Sequence, residues 1–159
     1  AVRGKPVETL LVEHWARFGR NYYSRHDYEG VDSTAANALV SDLRASLPGL
    51  VGQTVDLGTA GRLSIASADD FAYTDPVDGS VSKAQGIRIG LADGSRVVLR
   101  LSGTGTDGAT LRVYLERYEG PEGRHDVPTQ EALGPLIALA ERLAGIRQRT
   151  GREAPTVIT

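Results

Sequence analysis

Two runs of alternating apolar and polar residues, joined by a short glycine-rich loop, most constrain the fold of this chain. The runs occupy residues 96–102 and 111–116, and the positions between their apolar residues include Arg100 and Arg112. The apolar positions recur at every second residue: Val97, Leu99, Leu101, Leu111, Val113 and Leu115. A period of two is typical of strands that bury one face. We therefore predict two strands whose arginines project from the face opposite the apolar side chains.

The loop between these strands has the composition of an anion-binding segment. Its glycines lie at positions 103, 105 and 108, and hydroxyl groups lie at positions 102, 104, 106 and 110. Glycine allows several backbone N–H groups to converge on one point without interference from Cβ atoms. The hydroxyls add donors, and guanidinium groups present planar forks that match phosphate oxygens. The stretch from Arg100 to Arg112 therefore predicts a site for an anion, and a phosphate ester fits it best.

Simpler interpretations of this loop remain open at this level. A cluster of Gly, Ser and Thr between apolar runs is commonly only a turn, and surface arginines are commonly solvated. The loop is not a Walker motif, because no Gly-Lys-Ser/Thr triplet ends it. Its three glycines match a dinucleotide-binding fingerprint only in part.

The remaining segments predict an α+β fold. Helices are predicted from Pro6 to Gly19, from Asp32 or Ser33 to Pro48-Gly49, and over residues 133–144. Strands are predicted at 21–29, 62–68, 86–92, 95–101 and 111–119, with a two-residue hairpin signal at Asp93-Gly94. After an extra N-terminal helix the order is β-α-β4-α. One antiparallel sheet of about five strands, with helices on one face, is the simplest way to bury these patterns.

Composition excludes several classes of function. The chain has 159 residues, enough for one domain with its own core. It has no cysteine, which excludes disulfides and thiolate metal sites, and its three histidines are too scattered to suggest a metal centre. A formal net charge of −2 argues against nucleic-acid binding, because such proteins usually carry a basic field. The sequence has no apolar run of the length that a membrane helix needs.

Two other segments could be overinterpreted as sites. Arg20, Arg25, Asp27 and Glu29 could be imagined as acid–base catalysts, but no metal or nucleophile pairs with them in the sequence. We interpret them as packing and ion-pair residues of a strand. Residues 73–80 contain two aspartates but lack the ligand spacing and terminal glutamate of a calcium loop. We interpret this segment as a turn-rich connection between strands.

The stretch from Arg100 to Glu119 closely resembles the phosphate-binding loop in the C-terminal, fourth domain of the α-D-phosphoglucomutases, which belong to the α-D-phosphohexomutase superfamily. The likeness continues in further blocks that occur in the same order along the chain. They are His14-Trp15, Gly19 to Glu29, Tyr73 to Lys83, Gln85-Gly86 and Ala154 to Thr159. The resemblance therefore extends over nearly the whole chain, from about Lys5 to Thr159.

The resemblance implies an organisation for the protein. The family's fourth domain has a TATA-box-binding-protein-like α+β fold. Residues 1–19 would be a connecting helix and hinge from a preceding domain, and residues 20–159 the phosphate-binding C-terminal domain. The Thr-Ala-Ser-His, Asp-x-Asp-x-Asp-Arg and Glu-x-Ser motifs of the other three domains do not occur in this sequence. We therefore expect a single domain of a cytoplasmic parent enzyme that carries its phosphoserine and Mg²⁺ elsewhere.

The resemblance also implies a function. The parent would interconvert glucose 1-phosphate and glucose 6-phosphate through glucose 1,6-bisphosphate, and this domain would hold the phosphate that is not transferred. The positions that match the family's phosphate contacts are Arg100, Ser102, Gly103, Thr104 and Arg112. The partners would be a phosphosugar and the other three domains, with no nucleic acid and no membrane. The chain alone would hold no catalytic residue, metal or cofactor and would be inactive. A stand-alone anion-binding or interaction module without catalysis remains the alternative.

Thr106-Asp107 departs from the family pattern, in which small residues are commoner at these positions of the loop. A carboxylate close to a dianion lowers the affinity for that dianion. We therefore expect the side chain of Asp107 to point to solvent.

Overall fold

The computed structural model describes residues 4–58, 61–105 and 108–159, which form five helices and seven strands. In chain order these are α1 Val7–Phe18, β1 Arg20–Val31, α2 Ser33–Leu50, β2 Thr54–Asp56, β3 Arg62–Thr74, β4 Val81–Leu91, β5 Arg96–Gly105, β6 Gly108–Glu119, α3 Thr129–Ala132, α4 Gly134–Ala144, α5 Ile146–Thr150 and β7 Val157–Ile158. In this described part of the chain, no helix is both long enough and apolar enough to cross a membrane.

The strands form one antiparallel sheet in the order β2-β3-β4-β5-β6-β1-β7. The predicted α+β fold with helices on one face is confirmed, but the expected number of about five strands was too low. The additional strands are β2 and β7, which have three and two residues. Segments this short cannot display a period of two, so no pattern in the sequence predicted them.

Alternation along the strands divides the sheet into a buried face and an open face. Leu99 of β5 and Leu111 of β6 are fully buried, together with Leu39 of α2 and Leu139 of α4. Burying a leucine side chain contributes about 1.5–3 kcal/mol relative to leaving it in water. The two longest helices of the domain body, α2 and α4, therefore hold the buried face of the sheet, while the opposite face stays open.

Helix α2 begins where the sequence predicts and ends later. The Asp32 carboxylate accepts a hydrogen bond from the Ala35 amide at 2.8 Å, which satisfies a donor of the first turn. The predicted end at Pro48-Gly49 was wrong, because the helix continues to Leu50 with Pro48 inside its last turn. Leu50 is buried against the core, and this packing keeps the last turn helical despite the proline.

The β3–β4 hairpin is longer than predicted, since β3 continues to Thr74 and β4 already begins at Val81. The connection between them is turn-rich, as predicted. The carboxylates of Asp75 and Asp78 each accept a backbone amide two residues ahead, at 2.8 Å. That hydrogen bond from the Ser80 amide lowers the pKa of the Asp78 carboxyl. Both carboxylates therefore serve to shape the turn.

Helix α1 lies outside the domain body, and all of its side chains are exposed or half-buried. Gly19 ends it at φ +78, and a Cβ atom there would lie 2.5 Å from the hydroxyl of Tyr118 on β6. The helix is tied to the body by Arg20. This guanidinium lies 4.3 Å from the ring centre of Trp15 on α1 and 4.2 Å from that of Tyr22 on β1.

Candidate functional site

Arg100 and Arg112 lie directly opposite each other on the open face of the sheet. β5 and β6 pair so that Arg100 opposes Arg112 and Ser102 opposes Thr110. Side chains opposed in this way have Cβ atoms about 4.5–5.5 Å apart. The two guanidiniums and two hydroxyls therefore form one polar patch at the foot of the glycine loop. Because directly opposed like charges destabilise a sheet, the patch favours an anion between them.

The guanidinium of Arg100 is held from behind by strand β4. Its Nε donates a hydrogen bond to the Gln85 carbonyl oxygen at 2.9 Å. Gly86 makes room for this approach, since a Cβ atom there would lie 2.7 Å from Arg100 Cγ. The β3–β4 ladder is irregular at this point, with Ala84 at φ +54. A β-bulge thus presents the carbonyl that orients Arg100, and bulges commonly re-aim groups beside functional sites.

Arg112 is flanked on its other side by strand β1, where Asp27 is its cross-strand partner. Asp27 Oδ2 lies 3.8 Å from Arg112 Nε, and Asp27 Oδ1 lies 3.0 Å from Arg25 Nε. The side chain of Asp27 is 5% exposed, whereas that of Arg112 is 41% exposed. The inner part of Arg112 therefore faces a buried carboxylate, and its outer part faces solvent.

Glycines let the backbone leave strand geometry at both ends of the loop. Gly103 has φ +66 and Gly108 has φ +89, values that residues with a Cβ atom rarely adopt. Gly108 also passes close to the end of β1, because a Cβ atom there would lie 3.1 Å from the Val31 carbonyl oxygen. The regular pairing of β5 with β6 therefore stops after Ser102, within β5, and the chain returns at Gly108 against the end of β1.

The neighbouring arginines of the open face have carboxylate partners. Arg88 donates to Asp69 from Nε at 3.1 Å and from Nη2 at 2.7 Å, and these bonds raise the pKa of Arg88. Arg96 donates from Nε to Glu116 at 2.6 Å. A hollow of about 320 Å³ lies between these pairs and Arg100. Since Arg100 contacts a neutral carbonyl instead, positive charge is concentrated at the foot of the loop.

The structure brings together the predicted phosphate-contacting positions that it describes in full: Arg100, Ser102, Gly103 and Arg112. Thr104 also belongs to β5, but its side chain is not among the described parts. Asp107 lies outside the described residues, so its expected orientation toward solvent stays a prediction.

The strand residues interpreted as structural lie in two places. Arg20 is at the end of β1 farthest from the loop, stacked between aromatic rings. Arg25 and Asp27 lie beside Arg112. The ion-pair role predicted for this strand thus includes a contact with the candidate site, which the sequence interpretation did not foresee.

Two further neighbours of the site, Thr110 and Gln85, are not among the positions matched to the family's phosphate contacts. The Thr110 hydroxyl was among the donors expected from the loop composition, and the register places it opposite Ser102, because a hairpin that opposes Arg100 to Arg112 must oppose Ser102 to Thr110. Gln85 could not be predicted, because its contact depends on the irregularity in β4.

Known proteins resemble this chain along its whole length. The family model described as Phosphoglucomutase-1, C-terminal domain, matches residues 20–156. A phosphoglucomutase of Rhizobium radiobacter is 58% identical over 159 residues, which are 100% of this chain and 28% of that protein. A probable cytoplasmic phosphoglucomutase of Arabidopsis thaliana is 50% identical over 96% of this chain and 26% of its own length. A chloroplastic phosphoglucomutase of Marchantia polymorpha is 47% identical, covering 96% of this chain and 23% of that protein.

A solved structure agrees with these relatives. The open form of pp63/parafusin from Paramecium, an exocytosis-sensitive phosphoprotein described as a phosphoglucomutase, superimposes with a TM-score of 0.80 and 41% identity. The match covers 99% of this chain and 26% of that one. The chain thus spans about a quarter of the length of the proteins it matches. Because the family model covers residues 20–156, the chain belongs to the family of phosphoglucomutase C-terminal domains.

Proposed function

We propose that this chain is the phosphate-binding C-terminal domain of a cytoplasmic phosphoglucomutase. The parent enzyme would interconvert glucose 1-phosphate and glucose 6-phosphate through glucose 1,6-bisphosphate. The family membership supports the enzyme class. The names of relatives include both cytoplasmic and chloroplastic enzymes, so the compartment is a proposal of its own.

The observation that carries the phosphate role is the direct opposition of Arg100 and Arg112 at the foot of the loop. A dianionic phosphate between the two guanidiniums would remove their repulsion and receive charge-assisted hydrogen bonds from both. The hydroxyls of Ser102 and Thr110 lie on the same face and would add donors. The backbone N–H groups at 103 and 104 would complete the cradle.

The proposed role is to hold the phosphate that is not reacting. Binding energy from a remote group can orient the sugar and position the reacting phosphate, which accelerates transfer without contact with the breaking bond. A bisphosphate that turns over between two half-reactions must be held by either phosphate in turn. Recognition of the phosphate, which is the same group at both ends, meets that need better than recognition of one sugar hydroxyl.

The transfer chemistry itself is assigned to other domains of the parent. In the described ranges 4–58, 61–105 and 108–159, no three His, Asp or Glu side chains cluster so that they could hold a metal ion. We propose that Mg²⁺ and the phosphoserine are held by other domains of the parent enzyme, as the family resemblance implies. The chain alone is expected to show no mutase turnover in a coupled assay with glucose 1-phosphate, and measurable turnover would contradict this assignment.

Kinetics of the full-length enzyme test the phosphate role. Arg112→Ala is expected to raise KM and to lower kcat/KM by about 10²-fold or more, because the phosphate loses a charged hydrogen-bond partner. The measurement is steady-state turnover of glucose 1-phosphate over a range of substrate concentrations.

Arg96→Ala is the matched control for this variant. It removes an arginine from the same face of the sheet, but one that is paired with Glu116 and lies away from the loop. We expect its kcat/KM to change by less than about threefold, as is usual for an exposed ion pair. Equal kinetic effects of the two substitutions would refute the assignment of Arg112.

A further inference from the structure

A buried carboxylate lies behind the proposed phosphate site. Asp27 is on the open face of β1, yet its side chain is only 5% exposed, and Arg25 and Arg112 approach it from two sides. Taking a carboxylate out of water is costly unless charged partners compensate for it. We therefore expect this buried carboxylate to have a specific role at the site.

The side chain of Arg112 is buried at its Nε atom and exposed farther out. Its Nε atom is inaccessible to solvent and, within the described residues, has no hydrogen-bond partner, although the side chain as a whole is 41% exposed. A guanidinium can bind an anion through its Nε edge or through its two terminal nitrogens. Because Nε faces Asp27, the two terminal nitrogens form the edge of the guanidinium that stays available on the open face.

We propose that Asp27 is a positioning residue, which holds Arg112 by Nε and so assigns its two terminal nitrogens to the phosphate. This inference rests on the proposed function. The separation of 3.8 Å between Asp27 Oδ2 and Arg112 Nε is longer than a hydrogen bond, and such contacts commonly tighten when a ligand binds. Arg25 Nε lies 3.0 Å from the other carboxylate oxygen, Oδ1, as an ion pair without hydrogen-bond geometry, so it offsets the charge of Asp27 from its far side.

A purely electrostatic role for Asp27 has the opposite consequence. If Asp27 only contributed negative charge near the site, its removal would strengthen the binding of an anion. If it positions Arg112, its removal weakens binding even though the site becomes more positive. The sign of the change in phosphate affinity therefore separates the two roles.

The test compares two variants of the 159-residue chain that lose the same charge, Asp27→Asn and Glu116→Gln. Glu116 lies on the same face and pairs with Arg96, so it serves as the matched control. Affinity for glucose 1,6-bisphosphate and for inorganic phosphate is measured by NMR titration. We expect Asp27→Asn to weaken binding about 5- to 10-fold and Glu116→Gln to leave it unchanged or slightly stronger. Binding by Asp27→Asn that is as strong as that of the control overturns the proposal.

A double-mutant cycle checks that Asp27 acts through Arg112. In an Arg112→Ala background, Asp27→Asn should no longer weaken phosphate binding and should leave it unchanged or slightly stronger, because the group that Asp27 positions is gone and only its charge is removed. The same 5- to 10-fold loss in that background overturns the proposal.

The unsubstituted chain provides a measurement that does not depend on the stability of any variant. The Arg112 Nε–H resonance should be protected from solvent exchange and should shift when phosphate is added, because the contact with Asp27 tightens. A rapidly exchanging Nε–H that does not respond to phosphate overturns the proposal.

Different results would contradict the phosphate role of the site and the positioning role of Asp27. Undiminished phosphate binding by Arg112→Ala alone would contradict the proposed function itself. A loss of binding in Arg112→Ala together with normal binding in Asp27→Asn would contradict only the role of Asp27.

Discussion

At the scale of single residues, the site depends on how two like charges are kept opposite each other. Arg100 and Arg112 oppose each other directly, an arrangement that destabilises a sheet. The Gln85 carbonyl holds Arg100 by Nε, and the Asp27 carboxylate offsets the charge of Arg112. The inner nitrogens of both arginines thus face oxygen atoms of neighbouring strands, and Arg100 Nη2 also lies 3.5 Å from Gln85 Oε1.

Gly86 provides a prediction at this scale. In Gly86→Ala, the new Cβ atom would lie 2.7 Å from Arg100 Cγ and 2.9 Å from the Leu99 carbonyl oxygen. Arg100 must move, so we expect phosphate affinity to fall and the free energy of unfolding to fall by about 1–3 kcal/mol. Urea unfolding and phosphate titration of the same preparation measure both effects.

Gly120→Ala is the control for Gly86→Ala. A Cβ atom at Gly120 meets open space, so both the stability and the phosphate affinity should stay within about 0.5 kcal/mol of the unsubstituted chain. If Gly86→Ala behaved like this control, Arg100 would not depend on the close approach described here.

At the scale of elements, the sequence could predict strands with a regular alternation of apolar and polar residues. It could not predict a single irregularity within a strand or a very short strand. The alternation of β5 and β6 is regular, so it predicts both the strands and the shared face of Arg100 and Arg112. No periodic pattern in the sequence indicates the irregularity in β4 beside Gln85 or the two shortest strands. The orientation of Arg100 depends on that single irregularity, so it could be seen only in the structure.

A prediction about Arg20 tests how helix α1 is attached to the rest of the domain. Its guanidinium lies between the rings of Trp15 and Tyr22 and donates to the His125 carbonyl oxygen at 2.5 Å. Arg20→Lys loses the planar group that fits this space, so we expect a loss of about 1–2 kcal/mol in the free energy of unfolding. Trp15 is the single tryptophan of the chain, and its fluorescence should shift to longer wavelength as the ring becomes more exposed.

Arg17→Lys tests whether this effect belongs to the contact or to α1 in general. Arg17 lies over Phe18 of the same helix, 4.9 Å from the ring centre, and is exposed. Its replacement should leave the emission of Trp15 unchanged. An identical shift in both variants would mean that Arg20 has no special part in holding the helix.

At the scale of the whole molecule, the site is assembled from strands that are distant along the chain. The order of the sheet places β1 beside β6, so that Asp27 meets Arg112 from a position far earlier in the sequence. Family resemblance could locate the loop and its arginines from their local pattern. It could not predict that Asp27 lies at the site, because that contact follows from the strand order and not from any local spacing.

The proposed function requires that Arg100, Arg112 and the glycine loop bind a phosphate ester. A crystal structure of the 159-residue chain with glucose 1,6-bisphosphate tests it most directly. We expect one phosphate within hydrogen-bond distance of both guanidiniums and of the backbone amide at Gly103, with the Nε atom of Arg112 directed away from it toward Asp27. A phosphate bound elsewhere on the domain, with both guanidiniums in contact only with water, would refute the proposed function.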